Sequence, residues 1–114
     1  MDERLKEIIE KEGKNYNKIY LYLNSELKQY SAYEFSAYLL VRMFHMLELK
    51  GVTDEEGDRV VSVSVPVTFV IEQFSGLNVM VSDKFVRVSI DELKLCLQWK
   101  ADFNELKRMG LSDK

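Results

Sequence analysis

Residues 31–51 read SAYEFSAYLLVRMFHMLELKG, which is the most apolar run in the chain. Ser31 and Glu34 have the spacing of a reciprocal capping pair at a helix N-terminus, and Gly51 stands where a C-terminal cap is expected. A helix this apolar must be buried over most of its surface. The sequence therefore predicts a central helix over 31–51, against which the other elements pack.

The predicted central helix has more apolar surface than one neighbouring element would cover. A polar stripe of Arg42, His45 and Glu48 marks its C-terminal half, whereas its N-terminal half is apolar all round. Tyr38 and Val41 fall on the same side as that stripe. These two side chains must be covered by another segment of the chain or by a partner.

Composition describes a small globular domain. The chain has 114 residues, of which 46% are hydrophobic and 31% charged, so we expect a single domain spanning 1–114. The net charge is −3, so the chain lacks the excess of basic residues with which proteins bind nucleic acid, and a nucleic-acid partner is not expected. One cysteine, Cys96, excludes an internal disulfide, and Met1 does not begin a secretory leader, so the expected compartment is the cytoplasm.

A membrane span is not expected. The longest apolar run, over 35–49, contains Arg42, His45 and Glu48 and is shorter than the roughly 20 apolar residues that cross a bilayer.

The sequence predicts an α+β fold with N-terminal helices, a small antiparallel sheet of about three strands and a long C-terminal helix. Segments 19–23 and 67–74 fit either helix or strand, and we favour helix for both because of their i, i+3, i+4, i+7 spacing. The other expected elements follow from caps, alternation and turn residues. In order, the segments are a helix over 2–12, a helix from Asn15 or Asn17 to about Gln29, a strand over 59–65, a short helix after Pro66, a hairpin of 77–81 with 85–89, and a helix from Ser89 to about Met109.

No residue is assigned a catalytic, cofactor-binding or metal-binding role. His45 is the only histidine, and Cys96 lies between Leu95 and Leu97, where a buried, unreactive thiol is the expected state. The acidic loop 54–58 does not match an EF-hand, because Val52 and Val63 occupy its first and twelfth ligand positions. Neither a dinucleotide-binding glycine pattern nor a P-loop is present.

The unusual feature is a concentration of tyrosines. Tyrosine covers apolar surface while its hydroxyl stays hydrated, and it is enriched in binding hot spots. The first half of the C-terminal helix is also apolar on two sides, through Leu93 and Leu97. The tyrosines concerned are Tyr16, Tyr20, Tyr22, Tyr30, Tyr33 and Tyr38.

These features favour a small cytosolic protein-interaction domain without a cofactor, which binds another protein or forms a homodimer. One alternative is a small-ligand binder or enzyme with a pocket between the sheet and the central helix. A second alternative is a winged-helix-like DNA-binding protein. The candidate partner-binding residues are Tyr33, Tyr38, Val41, Leu93 and Leu97.

Overall fold

A six-stranded antiparallel sheet and four helices make up the described part of the chain. The structure is a computed structural model and describes residues 3–24, 26–53, 59–74, 78–82 and 85–109. The expected α+β class is therefore confirmed, but the sheet has twice the expected three strands. In chain order the elements are α1 (Glu3–Lys14), β1 (Lys18–Asn24), β2 (Gln29–Tyr33), α2 (Glu34–Met43), β3 (Lys50–Thr53), β4 (Arg59–Pro66), α3 (Val67–Phe74), β5 (Asn78–Val81), β6 (Phe85–Ser89) and α4 (Leu93–Met109).

The sheet is built from three hairpins that lie side by side. Its strand order is β3-β4-β2-β1-β6-β5, with every neighbouring pair antiparallel. The hairpin of β1 and β2 occupies the centre, and the two later hairpins flank it. This order leaves β3 and β5 as the edge strands.

The main core lies on one face of the sheet. Ile19 is paired with Val88 and Leu21 with Val86, and these four side chains are buried together with Phe35 of α2. Residues of α3 and α4 belong to the same buried cluster, so α2, α3 and α4 all pack on this core face. From those two helices come Val70, Phe74, Cys96 and Phe103.

Helix α1 packs on the opposite face of the sheet. Tyr20 and Phe85 alternate with the core residues along β1 and β6 and therefore point away from the core face. The Lys11 ammonium lies 3.9 Å from the ring centres of both residues. Ile8 and Tyr22 are buried but stand outside the main core, in agreement with a separate contact layer under α1.

The expected helix over residues 15–29 is wrong, because this segment contains strand β1 and reaches the first residue of β2 at Gln29. Both faces of β1 are covered: Ile19 and Leu21 lie in the core, while Tyr20 and Tyr22 lie on the α1 face. The strand consequently has no polar face, and its apolar spacing also fits a helix. The periodicity alone could not distinguish the two structures.

The central helix is shorter than expected, since α2 spans only Glu34–Met43. Ser31 is not its cap: it lies in β2, where its hydroxyl is 2.8 Å from that of Ser64 on β4. Gly51, the expected C-terminal cap, lies in β3. Ser31 and its partner Ser64 lie on the face of the sheet away from the core, because the next pair, Ala32 and Val63, is buried in the core.

Other expectations have mixed outcomes. The strand over 59–65 and the helix over 67–74 are confirmed by β4 and α3, and the paired strands of the hairpin of 77–81 with 85–89 are confirmed by β5 and β6, with Leu77 outside the described residues. The last helix begins at Leu93, because Ser89 is paired with Lys18 in the sheet and does not cap a helix. The acidic loop 54–58 lies outside the described residues.

Glu34 stabilises the junction at which β2 passes directly into α2. Its backbone φ is 51°, a left-handed conformation that is uncommon for a non-glycine residue. Its carboxylate accepts a hydrogen bond from the Val61 amide at 2.9 Å and lies 2.9 Å from the Lys107 ammonium. Pairing of β2 with β4 stops at Tyr33 and Ser62, so the carboxylate replaces the acceptor that a longer β2 would offer to Val61.

We expect the substitution Glu34→Ala to lower the free energy of unfolding by about 2 kcal/mol, because it leaves the buried Val61 amide without an acceptor. Glu34→Gln retains an acceptor oxygen and loses mainly the ion pair with the partly exposed Lys107, so its cost should stay below about 1 kcal/mol. Urea unfolding of the two variants measures the difference. Equal costs for alanine and glutamine would contradict this role of the carboxylate.

Candidate functional site

The five candidate partner-binding residues do not form one surface. Tyr33 is paired with Ser62 and lies on the α1 face of the sheet, with its ring 6.1 Å from that of Tyr22. Tyr38 and Val41 belong to α2 on the core face, where both are half-buried against the core. The Tyr38 ring is 5.3 Å from that of Phe103.

Leu93 and Leu97 are exposed on the first half of α4. Their exposed fractions are 47% and 56%, whereas Cys96 beside them is completely buried. At 3.6 residues per turn, the two leucines lie on the flank of α4 opposite to Trp99. The Trp99 ring faces the Arg42 guanidinium of α2 at 5.6 Å. Leu93 and Leu97 therefore point away from α2.

Edge strand β5 adds exposed apolar residues that the sequence reasoning did not single out. Val79 and Val81 are paired with the buried Val88 and Val86, so both point to the core face of the sheet. They are nevertheless exposed, Val81 to 72%. Among the described strands β5 pairs with β6 alone, which leaves one row of backbone donors and acceptors open.

We call Val79, Val81, Leu93 and Leu97 the β5–α4 surface. The two valines lie on the face of the sheet on which α4 packs, and the two leucines lie on the flank of α4 turned away from α2. A signal for this surface was present in the sequence, because positions 78–81 contain neither a charged residue nor a proline. Natural edge strands commonly carry such residues as protection against pairing with another chain.

A second group of interest is a buried polar cluster between α1 and α2. The Glu12 carboxylate accepts hydrogen bonds from the Ser36 amide at 2.8 Å, the Ser36 hydroxyl at 2.5 Å and the Asn15 side-chain amide at 3.1 Å. The Ser36 hydroxyl in turn accepts a hydrogen bond from the Tyr20 amide at 2.9 Å. Because Tyr33 gives α2 no side-chain cap, Glu12 acts as the cap from another helix.

Burial dominates the ionisation of Glu12. It raises the pKa of this carboxyl from 4.5 to about 7, although the hydrogen bonds from Ser36 and Asn15 and the charge of Lys100 act in the opposite direction. Lys100 donates hydrogen bonds to the Glu12 and Gly13 carbonyl oxygens, at 3.0 and 3.4 Å. Its own pKa is lowered, mainly by burial.

The polar cluster serves structure rather than chemistry. Glu12 is 2% exposed, and both of its carboxylate oxygens already accept hydrogen bonds. An acid or base in catalysis needs access to a substrate proton, which this enclosed carboxylate lacks. The cluster instead joins α1, β1, α2 and α4 in one hydrogen-bonded unit.

Two further features that the sequence raised as possible sites of chemistry are the Cys96 thiol and a ligand pocket between the sheet and α2. Cys96 is fully buried, and burial, followed by the charge of Glu92, raises the pKa of its thiol, which disfavours the reactive thiolate. Between the sheet and α2, where a ligand pocket was one alternative, the fully buried Phe35, Leu39 and Leu40 occupy the space.

We expect acidification to stabilise the fold through Glu12. Between the unfolded value of 4.5 and the folded value of about 7, the folded state binds the extra proton, so the free energy of unfolding rises as the pH falls across this range. The increase amounts to about 3 kcal/mol, at 1.36 kcal/mol per pKa unit. Glu12→Gln should flatten this dependence while it preserves the shape of the side chain.

Urea unfolding between about pH 5 and about pH 8 tests this expectation. Glu10→Gln, which removes an exposed carboxylate from the same helix, is the matched control and should keep the native pH dependence. Identical pH dependence in the native protein and in Glu12→Gln would contradict the raised pKa.

In the described ranges no three side chains of His, Cys, Asp or Glu are grouped so that they could hold a metal ion. Nor does any described helix combine the length and apolar character needed to cross a lipid bilayer. Known family models, curated proteins and solved structures give no match to this chain.

Proposed function

We propose that this chain is a protein-interaction domain that forms a homodimer through the β5–α4 surface. In the dimer, β5 of one copy pairs antiparallel with β5 of the second copy, so that the two sheets continue into each other. The exposed apolar edge strand is the observation that carries this proposal. We assign it to the cytoplasm as part of the same proposal, because a single cysteine provides no internal disulfide.

A second copy of the chain is the partner that best fits the chemistry of β5. Antiparallel pairing of a strand with its own copy obeys twofold symmetry, the commonest symmetry of soluble oligomers. Positions 78–81 carry no charge, so the pairing opposes no like charges. Each open backbone donor and acceptor along the edge would gain a partner.

The side chains next to the edge favour the same arrangement. Val79 and Val81 would meet their copies on the core face, and Leu93 and Leu97 of α4, which packs on the same face of the sheet, would lose water-exposed apolar area. The other edge strand, β3, begins with the exposed Lys50, a residue type that protects edges from pairing. The proposal therefore selects β5 and not β3.

We expect the native protein to sediment as a dimer, with twice the chain mass of 13.4 kDa. Val81→Lys should weaken dimerisation by at least about tenfold, because it brings two lysines close together in the apolar contact. Sedimentation equilibrium over a concentration series measures both dissociation constants.

Ile71→Lys is the matched control for this experiment. Ile71 is also a β-branched residue and is 64% exposed, but it lies on α3. Its substitution should leave the dimer intact. A native protein that stays monomeric at its solubility limit, or equal weakening by Ile71→Lys and Val81→Lys, would overturn the proposal.

A further inference from the structure

A small pocket lies at the corner where α1 leads into β1, away from the β5–α4 surface. Its volume is about 210 Å³, and the residues that line it come from 11–20. Drug-sized ligands usually occupy pockets of roughly 300 to 1,000 Å³, so this one suits a smaller molecule. Its walls are the last turn of α1, the connection to β1 and the first residues of β1.

Three lysines line the pocket, namely Lys11 and Lys14 from α1 and Lys18 from β1. Within the described part of the chain, none of them forms an ion pair. Such a concentration of unpaired positive charge is unexpected in a chain whose net charge is −3. A bound anion would give these lysines a partner of opposite charge.

The surroundings strengthen the positive potential. Arg87, the cross-strand partner of the pocket residue Tyr20, has a buried Nε atom without a hydrogen-bond partner in the described part of the chain. The negative end of the α1 dipole is already compensated, because Lys100 binds the Glu12 and Gly13 carbonyl oxygens. Glu12, which follows Lys11 in α1, directs its carboxylate to Ser36 and Asn15.

The charge and the walls of the pocket together select a ligand class. Lysine ammonium groups bind phosphate as point charges, and a phosphate monoester carries a charge of about −1.5 to −2 at neutral pH, against −1 for a carboxylate. Tyr16, which is 48% exposed, presents a ring on which an apolar or aromatic group could pack.

We propose that this pocket binds a small phosphate monoester, with the phosphate among Lys11, Lys14 and Lys18 and the organic group against Tyr16. The site is independent of dimerisation, because none of its residues belongs to β5 or α4. Lys11 also packs on the rings of Tyr20 and Phe85, whereas Lys14 is exposed and Lys18 half-buried. Lys14 and Lys18 are therefore the residues to substitute.

Phenyl phosphate is the probe, and NMR titration of the backbone amides at constant ionic strength is the measurement. We expect saturable shifts confined to residues 11–20, with phenyl phosphate binding more tightly than inorganic phosphate and phenol causing no shift. The double variant Lys14→Gln, Lys18→Gln should weaken binding by at least about tenfold, since two charge-assisted contacts are lost.

The matched control is the double variant Lys28→Gln, Lys94→Gln, which changes the net charge equally at two exposed lysines outside the pocket. It should leave the affinity within about twofold of the native value, because screened charges at a distance contribute little. Shifts that do not saturate, equal weakening by both double variants, or displacement by an equal concentration of sulfate would overturn the proposal. Much tighter binding of a phosphoserine peptide would overturn it too, in favour of a protein ligand.

Discussion

The fold depends on how the backbone amides are satisfied where β2 becomes α2. Tyr33 ends the strand and Glu34 begins the helix with no residue between them. The neighbouring strands continue past this point, and the first helical turn also has amides without partners in its own helix. A buried amide without an acceptor costs about 1 to 3 kcal/mol, so a chain that changes structure so abruptly must supply acceptors from elsewhere.

Side chains supply those acceptors on three sides of the junction. The Ser36 hydroxyl accepts from the Tyr20 amide on β1, the Glu12 carboxylate accepts from the Ser36 amide, and the Glu34 carboxylate accepts from the Val61 amide on β4. Two lysines of α4 extend the network, Lys100 to the end of α1 and Lys107 to Glu34. Helices α1 and α4 are thus both fixed to one junction, which makes the polar network a source of specificity as well as stability.

How much of the fold could be predicted depended on whether the signal was local. β4 was predictable because Val61, Val63 and Val65 lie in the core while Ser64 is exposed, which produces strict alternation. Helix α3 was predictable because Pro66 precedes apolar residues at helical spacing. In β1 both faces are covered, so the alternation disappeared and a helical spacing arose by coincidence.

The junction itself could not be predicted from sequence. Ser31 and Glu34 have the spacing of a local capping pair, yet their partners are Ser64 and Val61, both in β4 and 33 and 27 residues later in the chain. The carboxylate of Glu12 caps a helix that begins 22 positions further on, from Glu12 to Glu34. No local pattern distinguishes these long-range acceptors from ordinary surface carboxylates.

The same limits apply to the candidate surfaces. Leu93 and Leu97 were identified from helical spacing, because an amphipathic helix is recognisable within a few turns. The exposure of Val81 depends on its position at the edge of the sheet, and strand order is a property of the whole topology. The convergence of Lys11, Lys14 and Lys18 likewise required the turn from α1 into β1, which the expected second helix had replaced.

Hydrogen exchange of the junction amides tests most directly whether side-chain acceptors protect the backbone amides where β2 passes into α2. If they do, the amides of Tyr20, Ser36 and Val61 exchange as slowly as those in the middle of β6, and Glu12→Ala accelerates Ser36 before the sheet as a whole. Exchange of these three amides at the rate of unstructured peptide in the native protein would contradict the account.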